Sequence, residues 1–142
     1  MTIARLIAGR SADLISCETS TTVREAVAIL AEKRIGALPV YENGRIAGIF
    51  SERDVIYQLA AHGPAMLDGP VGAVMSAPPI TVDPGTEVMD ALGMMTRRRF
   101  RHLPVVENDA VVGFVSIGDL VKYRIERIES EAEAMRAYIQ TA

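Results

Sequence analysis

The stretch Leu38-Pro-Val-Tyr-Glu-Asn43 reappears as Leu103-Pro-Val-Val-Glu-Asn108, 65 residues further along the chain. The same offset aligns further pairs without a gap: Val23 with Val88, Ala26 with Ala91, Arg34 with Arg99, Gly48 with Gly113, Ser51 with Ser116 and Asp54 with Asp119. So many matches in one ungapped register indicate an internal duplication, and a duplication constrains the fold more than any local pattern does. The sequence therefore predicts two copies of one structural unit.

Each copy has the same predicted order of elements. A short extended piece (15–17 or 80–82) precedes a helix in which apolar residues recur at helical spacing. Two extended runs follow, joined at Asn43-Gly44 or Asn108-Asp109, where a tight hairpin turn is expected. A second helix begins near Ser51 or Ser116. The order β-α-β-β-α, twice, predicts an α/β (α+β) fold in which the two repeats pack as a pseudo-two-fold pair.

Four parts of the chain are predicted. Residues 1–62 form the first repeat with an N-terminal lead-in, 63–70 a Gly- and Pro-rich connector, 71–124 the second repeat, and 125–142 the extension of a long C-terminal helix. An apolar stripe with heptad-like steps of three and four runs along that helix: Val121, Ile125, Ile128, Ala132, Met135 and Ile139. The stripe either packs on its own module or forms a homodimer contact, and its length favours the homodimer.

The motif Ser-x-x-Asp occurs in both copies, at Ser51 to Asp54 and at Ser116 to Asp119, where a strand ends and a helix begins. One interpretation is a capping box, in which the serine caps the helix and the acid bonds back to the serine amide. The other uses the same geometry for a ligand. Free amides at a helix N-terminus suit a phosphate, and a carboxylate one turn in can accept hydrogen bonds from a ribose diol.

Composition excludes several classes of protein. A net charge of −3 argues against a general nucleic-acid binder. Cys17 is the single cysteine and is expected to be a small buried hydrophobe, and we predict no metal site and no catalytic residues. The N-terminal residues lack a signal-peptide pattern, and no apolar run approaches the roughly 20 residues that span a bilayer. The sequence thus predicts a cytoplasmic protein without a membrane segment.

The duplicated unit, with Leu-Pro-Val before each hairpin and Gly-φ-φ-Ser-x-x-Asp after it (φ apolar), resembles the CBS domain family, named after cystathionine β-synthase. The resemblance covers about residues 15–121 and implies a stand-alone CBS pair, or Bateman module. The family generally binds adenosine-containing ligands in clefts between two repeats and acts as a sensor. The resemblance thus implies AMP, ADP, ATP or NAD as ligand, with S-adenosylmethionine less favoured, and it agrees with association into dimers.

Each cleft in the family joins the aspartate of one repeat to the loop before the Leu-Pro-Val strand of the other. The resemblance then implies that one cleft uses Ser51, Arg53 and Asp54 with Ile80, Phe100, Arg101 and His102. It implies that the other uses Phe114, Ser116 and Asp119 with Ile15, Ile35, Gly36 and Ala37. We refer to them as the Asp54 cleft and the Asp119 cleft.

The two clefts differ in predicted charge. Arg101 and His102 replace Gly36 and Ala37, so the Asp54 cleft is expected to be cationic and to prefer phosphorylated ligands, while the Asp119 cleft binds adenosine more weakly or holds the less charged end of a ligand. The neighbouring Arg97 and Arg98 are interpreted as solvated charges at a helix C-terminus. We predict a non-catalytic regulatory module with an unknown regulated protein. The alternative is a protein-interaction or nucleic-acid-binding scaffold with vestigial clefts.

Overall fold

The computed structural model describes residues 1–10 and 14–141. Residues 11–13 of the predicted range 1–62 and residue 142 of the predicted range 125–142 lie outside the described residues. The described chain contains two copies of a helix-and-strand unit. The first comprises β1 (Cys17–Glu18), α2 (Val23–Lys33), β2 (Ala37–Glu42), β3 (Arg45–Ser51) and α3 (Glu52–His62). The second comprises α4 (Val88–Arg98), β4 (His102–Glu107), β5 (Ala110–Ser116) and α5 (Ile117–Thr141). A short helix, α1 (Ile3–Ile7), precedes both, and two 3-10 turns (Pro64–Asp68 and Val71–Ala73) connect them.

The strands form two small sheets with the same register. β2 pairs antiparallel with β3, β4 pairs antiparallel with β5, and β1 lies parallel to β2. The pairing shifts at Val40/Tyr41 and at Val105/Val106, which are equivalent positions. Both residues of each predicted tight turn have positive φ, as a hairpin of this kind requires. The extended piece predicted at 80–82 is reduced to a single parallel bridge between Val82 and Val105.

Each repeat has its own apolar core, and the two cores match position by position. Val23, Leu38 and Val40 are fully buried in the first, and their equivalents 65 residues later are fully buried in the second. Cys17 lies in the first core, where burial, with a smaller contribution from Glu18, raises the pKa of its thiol to about 11. Its role is that of a small apolar side chain, as predicted.

The segments that precede the repeats are exchanged between the two cores. We call 1–10 the first lead-in and 69–78 the second lead-in. Ile3 of the first lead-in is fully buried in the core of the second repeat, whereas Val71 of the second lead-in is fully buried in the core of the first. The Ile3 amide donates to the Thr86 carbonyl, and the Val71 amide donates to the equivalent carbonyl of Thr21. Each lead-in therefore completes the repeat that it does not precede.

α5 extends well beyond the second repeat. Although α3 and α5 begin at equivalent positions, α3 has 11 residues and α5 has 25. Most of the predicted stripe is exposed along this extension, from 48% at Ile128 to 66% at Ile139. None of the helices in the described parts of the chain has the length and apolar character needed to cross a membrane.

Candidate functional site

The first Ser-x-x-Asp motif forms a complete capping box at the start of α3. The Asp54 amide donates to the Ser51 hydroxyl (3.3 Å), while the Ser51 amide and hydroxyl donate to Oδ2 of Asp54 (2.9 and 3.1 Å). The other carboxylate oxygen, Oδ1, accepts a bond from the exposed hydroxyl of Ser76 (2.9 Å), which belongs to the second lead-in. The capping interpretation of the sequence therefore describes one oxygen of Asp54, and the other faces the neighbouring segment.

Asp54 also lines a cleft of about 550 Å³ between the two repeats. All seven residues predicted for this cleft line it: Ser51, Arg53, Asp54, Ile80, Phe100, Arg101 and His102. They come from the β3–α3 junction of one repeat and, in the other, from the extended piece at 80–82 and from the α4–β4 loop with the first residue of β4. The crosswise construction expected from the resemblance is therefore present in the geometry, and an open space lies beside the capping carboxylate.

The charge in the Asp54 cleft comes from two arginines and two acids. Arg53 donates to the carbonyl of Arg99 (3.0 Å) at the left-handed C-terminus of α4, which ties α3 of one repeat to the other. Arg101 is exposed on the opposite wall, and Glu52 lies beside Asp54. The two guanidinium groups therefore place positive charge on both walls of the cleft.

His102 contributes no fixed charge to this cleft. Burial lowers the pKa of His102 below its usual range, and the carboxylates of Asp119 and Glu52 only partly offset this effect. The imidazole is therefore neutral near pH 7. Its ring stacks on Phe114, with centroids 5.6 Å apart and planes 16° from parallel. Among the described residues that line the Asp54 cleft, the cations near pH 7 are thus Arg53 and Arg101.

The second Ser-x-x-Asp motif caps α5 in the same way but has a different neighbour. The Ser116 amide donates to Oδ2 of Asp119 (2.8 Å), and the Asp119 amide donates to the Ser116 hydroxyl (3.2 Å). The guanidinium of Arg10 approaches both carboxylate oxygens, at 3.4 Å from Oδ2 and 3.2 Å from Oδ1. Burial by itself would raise the pKa of Asp119, but the Ser116 amide and Arg10 outweigh it and hold the pKa below its usual value.

The other residues predicted for the Asp119 cleft lie in several places. Phe114 is stacked against His102, as described above. Gly36 lines the Asp54 cleft, where a Cβ on it would lie 3.5 Å from the His102 ring. Ala37 is 3% exposed, Ile35 packs against the core of the first repeat, and Ile15 is partly exposed before β1. Of the residues predicted for the Asp119 cleft, Ser116 and Asp119 are in direct contact. The assignment of the other residues to this cleft stays a prediction.

Several residues of the two clefts were not found from the sequence. The Asp54 cleft is also lined by Ile49, Glu52, Ile56, Tyr57, Ser76, Pro78 and Pro79. Glu52, Ile56 and Tyr57 could have been inferred, because they share the first turns of α3 with Asp54. Ser76 and Arg10 could not, because the lead-ins reach the aspartates only through the exchange between repeats.

Comparison with known proteins agrees with this geometry. A family model described as CBS domain matches residues 10–61 and 71–126. The chain belongs to the CBS domain family. The duplication inferred from the 65-residue offset corresponds to the two matched segments, so the identification as a tandem CBS protein is confirmed. Both matched segments are CBS domains, a family that is generally regulatory.

Individual relatives support the same fold. The chain is 37% identical to the CBS domain-containing protein CBSX3, mitochondrial, of Arabidopsis thaliana. The alignment extends over 139 residues and covers 93% of this chain and 68% of the relative. Among solved structures, the CBS-domain containing protein ATU1752 from Agrobacterium tumefaciens superimposes with a TM-score of 0.83 at 32% identity, over 87% of this chain and 99% of that one. The predicted fold class is therefore confirmed. A structure of CBSX2 in complex with AMP matches with a TM-score of 0.73 at 25% identity, over 88% and 96% of the two chains.

Proposed function

We propose that this CBS pair is a non-catalytic regulatory module that binds an adenosine-containing nucleotide in the Asp54 cleft. AMP, ADP, ATP and NAD are the favoured ligands, and S-adenosylmethionine is a weaker candidate. The observation that carries the proposal is the open cleft beside Asp54, where a carboxylate, a helix N-terminus and two guanidinium groups meet. We keep the sequence-based prediction of a cytoplasmic location.

The cleft has the size and lining that a nucleotide requires. Small-molecule sites usually measure about 300–1,000 Å³ and combine apolar walls with a few placed polar groups. Here Ile80 and Phe100 supply an apolar wall for a purine, while Arg53 and Arg101 supply planar paired donors for phosphate. The solved complex of CBSX2 with AMP supports an adenine nucleotide as the ligand class.

Capping and ligand binding are compatible at Asp54. An ionised carboxylate offers about four lone-pair sites on two oxygens. The cap uses Oδ2, and the Ser76 hydroxyl that bonds Oδ1 is neutral and can rotate away. A ribose diol can therefore bond Oδ1 without breaking the capping box, so that one residue serves the helix and the ligand together.

Calorimetry with adenosine, AMP, ADP, ATP, NAD and S-adenosylmethionine tests this function. We expect binding by at least one nucleotide, weakened about tenfold or more in Asp54→Asn, because asparagine keeps one oxygen for the cap and loses the charged acceptor for the diol. Asp109→Asn, on the exposed turn between β4 and β5, controls for the loss of one charge. Wild-type affinity in Asp54→Asn would mean that Asp54 only caps α3, and no binding by any of the six would reject the proposal.

We further infer that α5 forms a homodimer contact. Support comes from the exposed stripe, whose side chains at Ile125, Ile128, Met135 and Ile139 would otherwise stay in water. Sedimentation should show a dimer for the wild type and a monomer for Ile128→Glu. Ser130→Glu adds the same charge to another face of α5 and should leave the dimer intact. A monomeric wild type would contradict the inference.

The alternative function is a protein-interaction scaffold whose clefts do not bind nucleotides. The observation that favours it is the same exposed face of α5, because a stripe of this length can hold a partner without any ligand. The six-ligand titration separates the two functions, since a scaffold predicts no binding together with an unchanged association through α5.

A further inference from the structure

The two aspartates occupy equivalent positions but meet different side chains from equivalent segments. The first lead-in crosses Gly113 as the second lead-in crosses Gly48: a Cβ on Gly113 would lie 2.9 Å from Cδ1 of Ile7, and one on Gly48 would lie 2.8 Å from Sδ of Met75. Just beyond these crossings, the second lead-in presents the Ser76 hydroxyl to Asp54, and the first presents the Arg10 guanidinium to Asp119. The polar group that meets the acid is therefore neutral in one cleft and cationic in the other.

Both groups that would contact a nucleoside at Asp119 already have partners within the chain. Arg10 approaches both carboxylate oxygens, a two-pronged arrangement that matches the fork of a guanidinium to a carboxylate. The His102 ring covers one face of Phe114. At Asp54, by contrast, one carboxylate oxygen meets only a rotatable hydroxyl, and the cleft beside it is open.

We propose that Arg10 is a specificity-determining residue of the Asp119 cleft: it holds the carboxylate that a ribose diol would bind and thereby makes this cleft the weaker of the two. The inference rests on the proposed function of the Asp54 cleft, because it assumes that Asp119 can hold a sugar as Asp54 does. A nucleoside enters only by displacing the guanidinium. The occupancy of the second site is thus set by a residue that precedes the first repeat.

The expected size of the effect follows from the exposure of the pair. Arg10 and Asp119 are 40% and 32% exposed in their side chains, so water and salt screen the attraction. Exposed pairs contribute about 0.2–1 kcal/mol, and the two-pronged geometry places this one near the upper end. Removing Arg10 should therefore strengthen binding at the Asp119 cleft about fivefold.

The experiment isolates the Asp119 cleft as the part of adenosine binding that Asp119→Asn removes, in a background where Asp54→Asn and Arg101→Ala weaken the Asp54 cleft. Adenosine is the probe, because it is neutral and carries the diol, and 2′,3′-dideoxyadenosine is the matched ligand without it. Adding Arg10→Ala should tighten adenosine binding about fivefold and leave the dideoxy compound unchanged. Arg5→Ala, which removes an exposed arginine from α1, is the control for charge. Further addition of Asp119→Asn should abolish the gain.

Salt gives a second measurement that needs no change in Arg10. Because ions screen the pair and leave a neutral ligand unaffected, adenosine should bind the isolated cleft more tightly at 0.5 M than at about 0.05 M sodium chloride. That dependence should vanish with Arg10→Ala. Unchanged or weaker adenosine binding with Arg10→Ala, or no binding at all, overturns the role of Arg10. The proposed function is tested separately, by titrating the wild-type protein with the six ligands. Only the absence of binding in that titration rejects the proposed function.

Discussion

The surroundings of Asp54 and of Asp119 share a backbone arrangement and differ in the side chains placed on it. Glu52 N bonds the Gly36 carbonyl and Ile117 N bonds the Arg101 carbonyl, which are equivalent contacts at the same strand–helix junction. On that common frame, Gly36 of one repeat stands where Arg101 stands in the other. The two copies have therefore kept the backbone hydrogen bonds at this junction and differ in the side chains that would contact a ligand.

His102 shows how the difference spreads from one cleft to the other. The residue lines the Asp54 cleft and stacks on Phe114 of the neighbouring strand β5, which the resemblance assigns to the Asp119 cleft. Its equivalent in the first repeat is Ala37, whose methyl group is too small to make a ring contact of this kind. Gly36, next to Ala37, has no side chain and leaves room for the His102 imidazole. The small residues Gly36 and Ala37 in one repeat thus make room for the larger Arg101 and His102 in the other. This difference in size makes the two clefts unequal.

The largest expected effect concerns the glycines over which the lead-ins cross. In Gly48→Ala the new Cβ would lie 2.6 Å from the backbone oxygen of Ser76, which cannot move without shifting the second lead-in. In Gly113→Ala it would meet the end of the flexible Ile7 side chain at 2.9 Å. We expect a loss of about 2 kcal/mol in the free energy of unfolding for Gly48→Ala and less than about 1 kcal/mol for Gly113→Ala.

Urea unfolding of the two variants measures this difference. Gly85→Ala serves as a control, because its Cβ would lie 3.2 Å from only a side-chain oxygen of Asp83. An equal loss of unfolding free energy in Gly48→Ala and Gly113→Ala would show that both lead-ins accommodate a new Cβ equally well. The distinction between the two clefts would then rest on charge alone.

The next effect concerns the phosphate side of the Asp54 cleft. Arg101→Ala should weaken ATP or NAD about tenfold and adenosine much less, because only the phosphorylated ligands need the guanidinium. Calorimetry provides the affinities, and Arg98→Ala, an exposed arginine at the end of α4, is the matched control. If Arg101→Ala weakens adenosine and ATP equally, Arg101 does not contact phosphate and the predicted charge preference is wrong.

The smallest effect is a dependence of stability on acid. Because the folded pKa of Asp119 is lowered, its carboxylate stabilises the fold above the unfolded pKa near 4, and this contribution is lost as the pH falls through the folded pKa. Asp119→Asn should therefore flatten the fall in the urea midpoint below about pH 4. Asp109→Asn controls for one lost charge. An unchanged acid slope in Asp119→Asn would mean that the ionised carboxylate, with its partners Ser116 and Arg10, contributes nothing measurable to stability.

Local signals explain why much of the fold could be predicted. The repeat, the Asn43-Gly44 turn and the Ser51 cap depend on residues close together in sequence, and all three are found in the structure. The aligned pair Arg34 and Arg99 also has a common role, since both end a helix in the left-handed conformation. The seven residues of the Asp54 cleft followed from the resemblance applied to an ungapped duplication.

The errors arose where two similar groups compete or where distant segments meet. Thr21 and Thr22 are both suitable N-cap residues by type, but the structure selects Thr22, which caps α2 through Glu25 N, while the Thr21 hydroxyl accepts from Glu18 N. The position before α4 is Glu87, which makes no side-chain cap. Arg10 was missed because 109 residues separate it from Asp119, and no periodicity links the two.

The exchanged lead-ins also determine how the molecule responds to a broken chain. A proteolytic cut in the turn at Pro64–Asp68 would leave two fragments, each carrying a piece of the other's interior, such as Ile3 in one and Val71 in the other. Neither fragment would have a complete interior alone, so the nicked protein should migrate as one particle on a native gel and separate only in denaturant. The two duplicated halves should therefore unfold together as one unit.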